Sequence, residues 1–302
     1  MKLLITGGTG FIGSPLCQTL AQRGHNLVLV SRDPARHALP AGAVALPWET
    51  SEWQRAAQGA DAVINLAGEP IAAKRWSPQQ KAAIRDSRLG ATRRLVDAMG
   101  SWPKAPSVFV NASAIGYYGP RGDEQLTEAD EAGRGFLADV CRAWEAEALR
   151  AESLGTRVVR MRIGLVLGPG GGVLAKMVAP FQWFVGGPVG TGRQWVSWIH
   201  RDDVIGLVEW ALTTPLIRGA VNVTAPEPVT MGAFCRCVGD ALRRPSWAPV
   251  PPFVLRSLLG EMADLLLTGQ RVIPHVALQR NYQFVHPSLP SALQACLSAR
   301  QP

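Results

Sequence analysis

The chain opens MKLLITGGTGFIG, and this stretch limits the possible folds more than any other. Lys2–Thr6 is a continuous apolar strand that runs directly into a glycine cluster. The cluster reads GxGxxG from Gly8 or GxxGxxG from Gly7, with Thr9, Phe11 and Ile12 among the glycines. An amphipathic helix pattern follows at Phe11–Arg23, where Leu16 and Leu20 lie four residues apart. A lone glycine pattern means little. Between a strand and a helix, however, glycines let the backbone turn tightly and approach a pyrophosphate, whose charge then sits at the helix N-terminus. The same turn without a ligand would be an ordinary strand-to-helix connection. Its place at the head of the first βαβ unit favours the dinucleotide loop, with Gly7, Thr9, Gly10, Phe11, Ile12 and Gly13 as its contact residues.

Beyond the loop, strands and helices alternate. Strands are expected at Asn26–Ser31, Val44–Leu46, Ala62–Leu66, Val108–Ala112, Val158–Ile163 and Ala220–Val223. A long helix runs from Pro78 to about Met99, with Ser77 as its cap and Pro78 at the first position. Further helices are expected at Gly135–Leu154 and after Asp202. Alternation without hairpin turns implies a parallel sheet covered on both faces, so the fold class is α/β, a Rossmann doubly wound sheet. Near residue 225 the composition shifts to a proline-rich tail. Together with the glycine-rich insert Gly164–Gly192 it suggests a smaller, discontinuous C-terminal cap. The expected division is 1–163 plus about 200–225 for the Rossmann domain, and about 164–199 with 226–302 for the cap.

Composition excludes several classes. With 47% hydrophobic and 18% charged residues over 302 positions, the chain is globular rather than disordered. No apolar run is long enough to span a bilayer, and the first residues lack a secretory pattern, so a cytoplasmic protein without membrane contact is expected. The net charge of +8 comes from scattered, mostly arginine, residues. No basic block or nucleic-acid motif accompanies them, which argues against a nucleic-acid partner and for a positive field that attracts anionic ligands. Cys17, Cys141, Cys235, Cys237 and Cys296 match no zinc spacing and read as buried free thiols.

The second strand ends Val30-Ser31-Arg32-Asp33, where the ribose-reading residue of a dinucleotide site belongs. Arg32 offers a guanidinium to a 2′-phosphate, with Ser31 beside it, and this points to NADP(H). The competing register puts Asp33 on the ribose and turns Arg32 to solvent.

These features, with Asp61–Gly68, the strand leading to Ser113, Arg160–Pro169 and Trp198–Val204, resemble the extended short-chain dehydrogenase/reductase superfamily in its NAD-dependent epimerase/dehydratase branch. Asn65–Ile71, Lys74-Arg75-Trp76, Ser113–Gly119, Arg162–Gly172 and Gly269–Pro274 are similar to a narrower group. It comprises sugar-nucleotide-epimerase-like proteins, often labelled cell-division inhibitors, with a C-terminal domain of unknown function. The resemblance implies cofactor contacts from Leu66, Ala67 and Gly68, a small-molecule substrate such as a nucleotide-sugar or carbonyl compound, and the option of a homodimer through the long helices.

The superfamily's acid/base is a tyrosine four residues before a lysine, and a glutamate often follows the lysine by four. Counting back from Glu145 gives Cys141 and Leu137, so the pair is absent. The remaining catalytic candidates are Ser113, at the end of its strand, and Tyr117. A gapless match would put Ala114 at the usual hydroxyl, and Tyr118 reads as packing. Glu69, Trp76 and Arg88 are candidate substrate contacts, although surface ion pairs are the commoner fate of such charges. His200, Asp202 and Asp203 invite a metal or catalytic reading. Within the resemblance, an Asp there caps the next helix, so no metal site is expected. Trp183, Trp195 and Trp198 fall in the insert and could stack on a ligand or simply pack. Two functions follow: an epimerase-like NADP(H) oxidoreductase with substituted acid/base groups, or a non-catalytic NADP(H) sensor.

Overall fold

A computed structural model describes residues 1–36 and 38–298. Its centre is a seven-stranded sheet of β1 (Lys2–Thr6), β2 (Asn26–Ser31), β3 (Ala43–Pro47), β4 (Ala62–Asn65), β5 (Val108–Ala114), β6 (Arg157–Ile163) and β7 (Gly219–Val223). The spatial order is β7-β6-β5-β4-β1-β2-β3, and every pairing is parallel. Alternate residues of β1 show why the strands are apolar throughout. Leu3 and Ile5 enter a core with Leu16 and Leu20 of helix α1 (Gly13–Gln22) and with Val204 and Val208 of α6 (Arg201–Thr213). Leu4 enters the opposite core with Trp53 of α2 (Glu52–Ala57), Leu95 and Met99 of α3 (Pro78–Ser101) and Ala148 of α4 (Phe136–Leu149). A sheet covered on both faces has no polar side, so period-two alternation disappears.

Ser77 caps α3 as its sequence suggests: its hydroxyl accepts from the Gln80 N–H at 3.1 Å, with Pro78 following. Three expectations need correction. The helix after the glycine loop begins at Gly13 rather than Phe11, because the turn itself uses the residues through Ile12. The expected helix Gly135–Leu154 is α4 followed by a tight 3-10 turn at Arg150–Leu154, which ends where Gly155 adopts a left-handed φ of 79°. The cap of α6 is not an aspartate. His200 fills that position, its Nδ1 accepting from the Asp202 N–H at 3.2 Å. Asp203 lies one turn in and instead accepts from the N–H groups of Val285 and His286.

Residues 165–198 and 225–296 supply a third core. Leu167, Phe181, Trp198, Phe234, Val238 and Leu293 meet there, drawn from α5 (Gly172–Gln182), α7 (Met231–Leu242) and the C-terminal helix Leu289–Ser298. Short strand pairs outside the central sheet accompany this region, including Trp198–His200 with Leu165–Leu167 and Arg271–Val272 with Gln125–Leu126. Among the described residues, no helix is long and apolar enough to cross a membrane.

Candidate functional site

The glycine loop lies at the C-terminal edge of the sheet, against the end of β4. Gly7 has φ 71°, and a Cβ on it would stand 2.6 Å from the Leu66 carbonyl. A Cβ on Gly13 would stand 2.1 Å from the Gly7 carbonyl oxygen. Both clashes are with backbone, so neither position tolerates a side chain without opening the turn. We therefore expect Gly13→Ala to weaken dinucleotide binding by roughly 10- to 100-fold, the equivalent of about 1–3 kcal/mol of overpacking. A titration of cofactor into the variant measures it. The turn closes through Gly10 N–H donating to the Gly7 carbonyl at 3.0 Å. Ile12 offers α1 no side-chain cap, and its first turn holds no acid, which leaves N–H groups and a positive helix end facing the loop. Beside the loop is a cavity of about 240 Å³, lined by Gly8, Thr9, Ser14, Gln18, Leu29 and Leu39.

Arg32 stands just after β2 with 81% of its side chain exposed, and among the described residues its one ionic contact is a loose 3.8 Å approach to Glu69. The Ser31 hydroxyl accepts from the Asp33 N–H at 3.3 Å, an arrangement that turns the chain at this corner. Arg32 is thus a guanidinium open to a phosphate, next to the loop where a dinucleotide would lie.

Behind Leu66, Ala67 and Gly68 is a buried polar network with no counterpart among the sequence expectations. Asn65 accepts from the Thr6 hydroxyl at 2.6 Å and from the Ala67 N–H at 3.2 Å. Its amide donates to Thr92 at 2.9 Å and to Asn111 at 2.7 Å. Trp144 of α4 donates to the same Thr92 hydroxyl at 2.8 Å. Five elements, β1, β4, β5, α3 and α4, thereby fix the residues on which Gly7 presses. Buried amides hold such geometry because each lost partner would leave an unsatisfied group.

The candidate catalytic residues do not share one environment. Ser113 is buried and donates its hydroxyl to Glu145 at 2.7 Å. Glu145 also receives Arg162 at 2.9 and 3.1 Å and Arg160 at 2.8 Å. The Ser113 hydroxyl is therefore committed to an ion-pair network rather than open to a ligand. Tyr118 is fully buried, donates to Asn222 at 2.6 Å and accepts from Arg162 at 2.9 Å. Burial pushes its phenol up to about 12, so it is a structural hydroxyl. Tyr117 is half-buried, with its ring 3.5 Å below the Arg162 guanidinium. Its hydroxyl makes no hydrogen bond among the described residues, and of the candidates it alone presents an uncommitted O–H.

Leu137 packs against Gly116, and Cys141 lies against Ser113 and Ala114. Burial raises the Cys141 thiol to about 11, so it supplies neither a thiolate nor a cation. Cys17, beneath Gly8, is raised to about 12 by the same effect.

A cation nevertheless reaches this place from α3. Arg88 donates to the carbonyls of Glu69 at 3.0 Å and Ile84 at 2.9 Å, and its guanidinium lies over the Trp144 ring and against Gly68. Arg85, three residues earlier, is exposed and pairs with Asp86, so the two do not act together. Trp76 donates to the Ile71 carbonyl at 2.8 Å and meets Phe136 edge-on, so its ring is held by packing and its N–H is already used. The three indoles of the insert separate. Trp198 is core, Trp195 donates to Asp123, and Trp183 is 79% exposed.

This sheet order, with a glycine loop after β1 and a polar platform at the strand ends, defines a Rossmann protein of the short-chain dehydrogenase/reductase kind. The chain belongs to the NAD-dependent epimerase/dehydratase family, whose profile matches residues 3–223; a domain of unknown function, DUF1731, matches residues 250–296. It is 43% identical over 303 residues to the chloroplastic epimerase family protein SDR39U1 homolog of Arabidopsis thaliana, covering 98% of this chain and 87% of that one. It is 36% identical over 304 residues to the epimerase family protein YfhF of Bacillus subtilis, covering 100% and 99%. Among solved structures it is similar to human epimerase family protein SDR39U1 crystallised with NADPH, at a TM-score of 0.88, 34% identity and 99% coverage of both chains. A nucleoside-diphosphate sugar epimerase from Corynebacterium glutamicum follows at 0.79 and 29%, covering 100% of this chain and 59% of that one.

Proposed function

We propose that this protein is an NADP(H)-dependent, epimerase-like oxidoreductase that works without the tyrosine–lysine pair of its superfamily. The observation that carries the reading is the open Arg32 guanidinium beside a glycine cradle that a Cβ would fill. Its similarity to a human relative crystallised with NADPH supports the same cofactor. Gly7–Gly13 and the uncapped start of α1 would hold the pyrophosphate, Arg32 with Ser31 the 2′-phosphate, and Leu66–Gly68 the far side of the dinucleotide. When bound, the cofactor supplies or accepts a hydride.

The chain's own contribution would come from the edge-on pair Trp76 and Phe136, from Arg88 as a fixed donor beside Gly68, and from Tyr117 as the available hydroxyl. An arginine retains its proton, so Arg88 would orient and polarise a substrate oxygen while Tyr117 or water exchanges the proton. The substrate class is a carbonyl compound or nucleotide-sugar.

The test is NADPH oxidation across both classes, with Tyr117→Phe as the diagnostic variant. It is expected to lower kcat by about 10²–10⁴-fold, the usual worth of a general acid, and to leave NADPH affinity unchanged. Tight NADPH binding with no oxidation in any mixture would instead favour the second reading, a non-catalytic NADP(H) sensor. The observation on that side is the apolar Leu137 and inert Cys141 at the usual acid/base positions.

A further inference from the structure

The His200–Asp202 segment, which the dinucleotide reading leaves unused, meets a residue that its local sequence gives no hint of. His286 lies against it, with its imidazole centroid 4.0 Å from that of His200. Asp202 Oδ2 is 3.6 Å from His200 Nδ1 and 3.9 Å from His286 Nε2, and one ligand atom from each of the three residues lies within 4.8 Å of the others. We propose that His200, Asp202 and His286 form a divalent-metal site of the zinc class, one that fastens the C-terminal segment to the start of α6.

Several features support it. Ligand atoms about 2.0–2.1 Å from a tetrahedral zinc stand roughly 3.3 Å apart, so two of the three separations are within about 0.6 Å of a bound geometry. Two imidazoles and one carboxylate suit zinc or cobalt, whereas magnesium and calcium call for oxygen ligands. His200 is only 2% exposed and turns its Nδ1 toward the Asp202 carboxylate, so burial holds the ring at the cluster rather than in solvent. Its Nδ1 would exchange a weak 3.2 Å contact with the Asp202 N–H for the metal.

The outer support is already built. Asp203, fully buried, accepts from the N–H groups of Val285 at 2.7 Å and His286 at 3.0 Å, and so fixes the backbone that presents the His286 ring. The nearest cation on the same helix, Arg201, is engaged elsewhere, donating to the Pro169 carbonyl and lying over Phe11. Asp202 is 55% exposed along its side chain, which leaves a path for the ion and room for a water as fourth ligand. Three protein ligands leave one coordination position to water, and the role inferred for the site is to tie residue 286 to residues 200–202.

The inference does not depend on the dinucleotide, and its test needs no substrate. The full chain, stripped with chelator, is titrated with Zn²⁺ alone by calorimetry and with Co²⁺ by visible absorption. One saturable equivalent is expected, with cobalt bands of a nitrogen/oxygen site, no thiolate charge transfer, and a rise in Tm on zinc addition. His286→Gln and Asp202→Asn, both at partly exposed positions, should each lower zinc affinity at least 10- to 100-fold while leaving the melt in chelator unchanged. Absence of saturable zinc binding, or affinity retained in both variants, would overturn the site.

Discussion

Replacing Glu145 with glutamine should destabilise the protein by about 3–5 kcal/mol, the range for removing one partner of a buried ion pair. For a chain of this size that is a fall in Tm on the order of 10 °C. The Glu145 and Arg162 side chains are each 3% exposed, and Arg160 is 19% exposed. A neutral amide would leave two guanidinium groups without their anion and would set its own N–H donors against theirs. The effect should extend beyond stability, since Glu145 joins α4 to β5 through Ser113 and to β6 through the two arginines. An exposed pair provides the contrast. Arg93 is 58% exposed in its bridge to Glu147, and Arg93→Ala should leave stability nearly unchanged because solvent screens the pair. Chemical denaturation of both variants checks the pair, and a loss below about 1 kcal/mol for Glu145→Gln would mean that water reaches the carboxylate.

This network illustrates what the sequence could and could not reveal. Arg160 and Arg162 are two apart on a strand, so their projection to one face was readable from period two. The acid they meet lies on the preceding helix, and only the closing of that crossover over the sheet brings Glu145 into range. In the sequence Glu145 is merely a marker for counting back to the absent lysine. Asn65 is similar. Its position at the end of β4 is legible, but its bonds to Thr6, Thr92 and Asn111 join four elements and leave no local pattern. The glycine loop, by contrast, is set by contacts within a few residues and with one neighbouring strand. It could be read directly, down to the positions that must lack a side chain. His286 is the extreme case, since no local periodicity links it to a residue more than eighty positions earlier. The placement of Arg88 beside Gly68 and Trp144 is also non-local. Arg88 arrives from α3, whereas sequence comparison looks for a lysine on α4.

The second large effect concerns the cofactor. Arg32 makes no close ion pair among the described residues, so its guanidinium is open to a ligand, and a charge-assisted hydrogen bond to a 2′-phosphate contributes about 1.5–3 kcal/mol. That corresponds to roughly 10- to 100-fold in affinity. Because Arg32 is exposed, Arg32→Ala should leave Tm without cofactor nearly unchanged, which separates recognition from folding. The stabilisation given by saturating NADPH should shrink in step with its affinity. Glu69, which approaches Arg32 loosely, would have to yield to the phosphate. Glu69→Gln is therefore expected to strengthen NADPH binding rather than weaken it.

The most direct measurement is a calorimetric titration of NADPH and NADH into the parent protein and into Arg32→Ala under identical conditions. The account predicts that the parent prefers NADPH by roughly 10- to 100-fold and that Arg32→Ala binds the two alike, with NADH affinity unchanged. Equal affinities in the parent, or a preference for NADPH that survives the loss of Arg32, would contradict it.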